Sequence, residues 1–262
     1  MFNATTFSYA GRSSSEWGLI IADFDNSNVM ETEAFSPNLS LLKVPGQLRF
    51  FYGKVEYETA PTCEFSIIKE NITGIDSVGI TAEARAAIMS WLVGRNAFLP
   101  LTFHSGDNEN YTYYCIFTGV KTIWVNGRCY GFRLTAEFDS PFARGKDDSV
   151  IIKPGTHTVT LQNSSSLDDY VYPIVTFTGG SIDIVNNTDD SSRHFTFSGL
   201  NSLETVTVDN ELNTITSTQD GEKLSYFTSK KWLRLRRGRN ELTVTCPGEV
   251  TIKWPHYAML GY

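Results

Sequence analysis

Apolar and polar residues alternate with period two through most of this chain, the mark of strands buried on one face. Phe65–Ile68, Tyr111–Phe117, Thr156–Leu161, Phe195–Phe197, Thr205–Asp209, Thr214–Ser217 and Glu241–Thr245 all follow it. Turn-forming residues separate them at Asn126-Gly127, Gly179-Gly180, Asn186-Asn187, Asp220-Gly221, Gly238 with Asn240, and Pro247-Gly248. Short strands punctuated this often predict β-sandwich or barrel architecture.

One segment keeps a different period. In TAEARAAIMSWLVG, residues 81–94, the apolar residues Ala84, Ala87, Ile88, Trp91 and Leu92 share one helical face. Thr81 is placed to cap the first turn, Glu83 suits the positive end of the helix dipole, and Gly94 followed by Arg95 suits the other end. This predicts a single amphipathic helix over about 81–94, packed on a sheet.

The pattern also breaks near 139–155, where DSPFARGKDDSVIIKPG gathers two prolines, two glycines and a run of charge. The expected organisation is a mostly β (α+β) unit over 1–145 that carries the helix, then an all-β sandwich over 150–262. The final strand, 250–257, is expected either to close the second unit or to return to the first. The break at Pro247-Gly248 favours a return.

Composition narrows the function. At 262 residues with 41% hydrophobic and 19% charged residues, the chain has the make-up of a folded soluble protein. No apolar run approaches the ~20 residues that span a bilayer, and the N-terminus lacks the basic-then-apolar pattern of a secretory signal. Synthesis and folding in a cytoplasm are therefore expected, and the six N-x-S/T triplets read as polar turns. Cys63, Cys115, Cys129 and Cys246 show no C-x-x-C, and each sits in a strand-like run, so free buried thiols are expected rather than a zinc site.

Catalytic patterns are missing from the sequence. The four histidines are scattered, and no nucleophile elbow, P-loop or dinucleotide fingerprint is present. Asp168-Asp169 and Asp189-Asp190 raise glycoside hydrolysis as a possibility but lie in Ser/Asn-rich loops where aspartate makes turns. SGDNEN, with Asp107 and Glu109, resembles a calcium loop without its spaced ligand series. Tyr111, Tyr113 and Tyr114, or Tyr170 and Tyr172, offer faces on which sugars stack, so a carbohydrate-binding sandwich recognising host cell-wall polysaccharide is the alternative class. No catalytic residue, metal ligand or cofactor is assigned.

KKWLRLRRGR, residues 230–239, holds six basic residues in a chain of net charge −7, leaving −13 on the rest. A surface that acidic repels phosphate backbones and anionic lipid, which argues against nucleic acid and membrane as ligands. Trp232 and Arg234 alternate with Leu233 and Leu235 as in a strand, and Arg236 to Asn240 reads as a turn before a returning strand. This makes Arg236, Arg237 and Arg239 a cationic hairpin tip, suited to docking an acidic neighbour.

Along almost the whole chain the order of motifs resembles the phage distal tail (Dit) proteins, the baseplate hub subunits of long-tailed non-contractile phages. The opening Phe7-x-Tyr9-x-Gly11 with Ser13, Ser14 and Gly18-Leu19, the helix ending in Trp91-Leu92, and Phe138-Asp139-Ser140-Pro141-Phe142-Ala143 come in the family's order. Tyr172-Pro173-Ile174, Ile182–Asn186, Leu203–Asp209 and Trp232-x-x-Leu235-x-x-Gly238-x-Asn240-x-Leu242-x-Val244 continue it. The loop from Asn163 to Asp169 departs from the family's usual turn, which affects that loop's contacts. The resemblance implies a non-enzymatic structural protein of the virion tail tip. Its first unit would form a belt closing into a homohexameric ring, and its second would be a galectin-like sandwich. Implied partners are further copies of itself, the tail tube protein, the tail-associated protein and receptor-binding or other baseplate proteins.

Overall fold

The computed structural model describes residues 5–22, 38–56, 60–70, 79–104 and 109–259. They are mostly antiparallel β-structure and divide between Ala143 and Arg144 into two compact units.

In the first unit seven strands run in the order Arg12–Ser13, Thr6–Tyr9, Leu99–His104, Thr112–Val125, Arg128–Phe138, Thr62–Lys69 and Leu19–Ala22. Ile21 donates its N–H to Thr5 O at 2.8 Å, so one end of the sheet curls round to the N-terminal strand. The inner face is aromatic. Phe7, Tyr9, Phe65, Phe103, Tyr113, Phe117, Phe132 and Phe138 are all buried, as alternation requires. The long central hairpin turns at Asn126 and Gly127, both with positive φ, the two-residue turn whose twist matches paired strands. Gly131 marks a close approach, because a Cβ there would lie 2.1 Å from Ile67 O.

The helix spans Ala82–Leu92. Thr81 Oγ1 accepts from Ala84 N–H at 3.2 Å, and Gly94 takes the left-handed φ of +81°. The Arg95 guanidinium then donates to Trp91 O through Nε and Nη2 at 3.1 and 2.7 Å. Both ends are thus satisfied by local residues. Trp91 ties the helix to the sheet. Its Nε1–H donates to Tyr9 O at 2.8 Å, and its ring stacks on Phe7 and Trp17 with centroids 5.6 and 4.5 Å apart.

A separate two-stranded ribbon pairs Asn38–Lys43 with Phe50–Glu56. Pro45 and Gly46 (φ +84°) make its turn, closed by Gln47 N–H to Val44 O at 3.1 Å.

The second unit is a two-sheet sandwich. Asp148–Ile152, Val250–Trp254, Ile174–Thr178, Thr205–Asp209 and Thr214–Ser217 form one sheet, in that order; Gly155–Asn163, Gly238–Cys246, Ser181–Asn186 and His194–Ser198 form the other. Val175, Phe177, Val206, Val208, Val250 and Ile252 of the first sheet meet Ile182, Ile184, Phe195, Phe197, Leu242 and Val244 of the second in one core.

The strand expected over 250–257 divides into Val250–Trp254 and Tyr257–Ala258. Val250–Trp254 is an interior strand of the second unit, paired with Asp148–Ile152 on one side and Ile174–Thr178 on the other. Pro247-Gly248 does not release it. A Cβ on Gly248 would lie 1.8 Å from Thr178 O, so the dipeptide is a tight pass against the neighbouring strand.

Candidate functional site

The basic stretch is not the hairpin its alternation suggests. Lys230–Arg237 forms no regular strand; its one backbone bridge is Leu235 with Val171, N–H to O at 2.8 and 2.9 Å in the two directions. The regular strand starts at Gly238 (φ +88°), so Arg239 and Asn240 belong to it rather than to a tip. Alternation still decides burial: Leu233 and Leu235 point into the core while Arg236, Arg237 and Arg239 are exposed.

Four buried asparagines replace the missing backbone partners. Asn240 is fully buried; its Oδ1 accepts from Arg236 N–H and Asn186 Nδ2, each at 2.9 Å. Its Nδ2 donates to Arg236 O at 2.7 Å and Gly238 O at 3.1 Å. Asn186 Nδ2 also donates to Arg234 O at 3.1 Å, and Asn163 Nδ2 to Arg236 O at 3.2 Å. Asn210 Oδ1 accepts Leu233 N–H at 2.7 Å. An asparagine side chain carries the donor and acceptor of a peptide group, so these four act as surrogate backbone for the segment from Leu233 to Gly238.

The arginines so displayed meet acids of their own unit. Arg234 Nε donates to Asp189 Oδ2 at 2.8 Å, and its guanidinium lies 3.9 Å from the Tyr170 ring centroid. Tyr170 Oη donates to Asp189 Oδ1 at 2.9 Å, a bond that raises the phenol's pKa. The same carboxylate, together with this ring, keeps Arg234 protonated more firmly than usual. Arg237 pairs with Asp168 at 2.6 Å and Arg239 with Glu241 at 3.2 Å, both exposed to solvent. Arg236 Nη1 meets a carbonyl, Thr188 O, at 3.2 Å.

Arg236 and Arg237 thus come together with Asp168, Asp169 and Tyr170 around an open cleft of about 240 Å³. Arg239 turns away along the strand toward Glu241. The cleft is smaller and more open than sites that enclose a small molecule, and its lining is charged rather than apolar. Its chemistry is ion pairing and hydrogen bonding with a surface. Local acids temper the isolated cationic tip expected from the sequence. In the sequence Asp168 and Asp189 read as turn formers or hydrolytic carboxylates, because pairing across 69 and 45 residues leaves no local trace.

Other candidates are placed as follows. Tyr113 is buried in the first core and Tyr170 carries Arg234 on its ring, so neither presents an open strip for a sugar. His194 does have an acid beside it. Its Nδ1 lies 3.0 Å from Asp183 across a strand pair, and Thr196 Oγ1 donates to the same carboxylate at 2.7 Å. His104, His157 and His256 bond Ser8 Oγ, Pro154 O and Ser164 Oγ. Among the described residues no three His, Cys, Asp or Glu side chains cluster to hold a metal ion. Most of the SGDNEN loop lies outside the described residues. All four cysteines are free; Cys115, Cys129 and Cys246 are buried.

Two family models match the chain, a phage tail protein N-terminal domain over residues 2–140 and a phage tail C-terminal domain over residues 149–254. A search of curated proteins finds no match. Among solved structures, the SPP1 Dit (gp 19.1) protein aligns at a TM-score of 0.70 and 13% identity over 97% of this chain and 99% of that one. It is described as a paradigm of hub adsorption apparatus in Gram-positive infecting phages. A chain of the phage P2 baseplate in its activated conformation with Ca aligns at 0.53 and 8% identity, over 99% of this chain and 100% of that one. The corresponding structure with Sr gives 0.53 and 8% over 98% and 100%.

Proposed function

The chain belongs to this phage tail protein family, and on that premise we propose that it is the structural hub subunit of a siphophage or prophage tail tip. The observation that carries the reading is a fold shared with the SPP1 Dit hub protein over 97% of the chain, both units included. In this reading the first unit is the belt that packs side by side into a ring, six copies being the expected number. The second unit faces outward as the galectin-like module. The ring joins the tail tube to the tail-associated protein and to receptor-binding or other baseplate proteins, and it does so without catalysis or cofactor. Its place is the virion tail tip, after synthesis in the host bacterial cytoplasm.

Ring closure needs two different surfaces of one subunit to fit each other around an axis. The exposed arginine segment of the second unit serves a different contact, docking an acidic face of a neighbouring baseplate protein. Charge steering of this kind sets orientation and on-rate.

Mass measurement in solution tests the ring. Particles near six times 29.3 kDa, formed alone or on adding tail partners, are the expected outcome. A monomer that persists with those partners and binds cell-wall glycans refutes it. Charge reversal of Arg236, Arg237 and Arg239 to Glu is expected to weaken partner attachment while the ring and the fold persist. Unaltered attachment would reduce the segment to a structural turn.

A further inference from the structure

The ribbon Asn38–Lys43 and Phe50–Glu56 forms its own two-stranded sheet, separate from the seven strands of its unit. Two paired strands alone are marginal in water and gain stability when a hydrophobic face is covered. Yet this ribbon presents apolar side chains to solvent: Leu41, Leu42, Val44, Leu48 and Phe50 are each more than two-fifths exposed, and Leu48 wholly so. Leu41 and Leu42 are consecutive strand residues, so their side chains leave on opposite faces. The ribbon is sticky on both sides, where an ordinary surface strand would be polar on one.

Charge gives the occupant. Residues 38–56 contain Lys43, Arg49 and Lys54 against Glu56, a net +2, and the other residues carry −9 of the chain's −7 total. The Lys43 ammonium lies 5.5 Å from the Phe50 ring centroid, so charge and apolar surface are interleaved rather than segregated. A basic, apolar ribbon fits an acidic protein face with apolar ground, and the rest of this chain is such a protein. An anionic bilayer would attract the ribbon too, but it would repel the −9 that follows it.

From this we infer that the ribbon is an arm that docks on a second copy of this chain, making one half of the heterologous contact that repeats around the ring. The inference rests on the ring proposed above and assigns the residues that make its contact. The arm supplies the apolar anchors, Leu42, Leu48 and Phe50, and Lys43 and Arg49 set the register against the neighbour's acids. The acceptor face lies elsewhere on the subunit, as a head-to-tail interface demands.

The test compares full-length wild type with Leu42→Asp/Leu48→Asp by native mass spectrometry and sedimentation velocity. Leu212→Asp, an equally exposed leucine of the second unit, serves as the control for added charge. Both leucines of the arm are solvent-exposed, so circular dichroism and melting of the variant are expected to match wild type. The expected result is oligomer in wild type and in the control, and at least a ten-fold weaker association in the arm variant. Oligomer of undiminished stability in the arm variant overturns the arm and leaves the ring standing. A wild type that stays monomeric at all concentrations overturns both. Vesicles of phosphatidylglycerol provide the last arm: binding that Leu42→Asp/Leu48→Asp abolishes, with self-association intact, would make the ribbon a lipid contact instead.

Discussion

Replacing Asn240 by alanine tests the claim that side-chain amides hold the arginine segment in place. The substitution removes four hydrogen bonds, two accepted and two donated, at a position with no solvent exposure. A typical intramolecular bond contributes ~1 kcal/mol net, and a buried group left unpaired costs ~1–3 kcal/mol. Compensation is partial: Asn186 Nδ2 keeps Arg234 O, and Arg236 O keeps Asn163 Nδ2. The expected loss is therefore about 3 kcal/mol. The second unit, Arg144–Met259, has about 116 residues, and at ~2.1 cal/mol/K per residue its unfolding entropy is about 0.24 kcal/mol/K, so its Tm should fall by about 12 °C. Calorimetry resolves this, and trypsin supplies a local readout. Cleavage after Arg236 and Arg237 should speed up well below the melting temperature, because the segment opens before the sandwich does. Asn186→Ala shares one bond with Asn240→Ala, so the double variant should lose less than the sum. Arg237→Ala, which removes only an exposed ion pair, should change stability by less than about 0.5 kcal/mol. A fall in Tm below about 3 °C for Asn240→Ala, or one no larger than that of Arg237→Ala, would refute the surrogate-backbone account.

Gly131→Ala would drive a methyl to 2.1 Å from Ile67 O between two paired strands; a loss of about 3 kcal/mol or more in the first unit is expected, and an unchanged melt would contradict the close approach. In the second unit Glu204 is buried with Lys223 at 2.8 Å; hydrogen bonds from Lys223 and then Ser217 hold its carboxyl below the ordinary 4.5. A depressed folded value means the contribution is complete above about pH 4.5 and lost as pH falls through the folded pKa. The drop in stability between about pH 5 and about pH 3 should therefore be shallower in Glu204→Gln than in wild type; equal slopes would remove Glu204 as the cause. Burial pushes the Cys63 thiol up to about 11 and raises Cys115 and Cys246 as well. Thiolate-dependent labelling at pH 8 should be slow in the native protein and reach four equivalents in urea, whereas one rapid native equivalent would contradict the burial.

What the sequence announces and what it hides differ by the distance over which each element is specified. The helix was legible because Thr81, Gly94 and Arg95 satisfy its ends from within a turn of the chain. The turn at Asn126-Gly127 was legible for the same reason. The segment at 230–240 kept its legible part, burial of alternate leucines, and lost its expected pairing, because its polar partners Asn163 and Asn186 stand 73 and 48 residues away. An asparagine reads locally as a turn former, and nothing near it says that its amide will serve a remote backbone. The tight pass at Pro247-Gly248 is hidden for a related reason. Pro-Gly signals a break wherever it occurs, while the contact of Gly248 with Thr178 that turns the break into a tight pass spans 70 residues. The 38–56 ribbon is hidden in the sequence although Pro45-Gly46 marks its turn, since Leu41-Leu42 and Phe50-Phe51 break the two-fold alternation by which strands are recognised. That alternation reports one wet face and one dry face. A strand that spoils it on both sides, and that forms a sheet of its own, has a pattern written for a surface outside its own fold, and for this chain the excess of acid in the remaining sequence makes another copy the surface that fits.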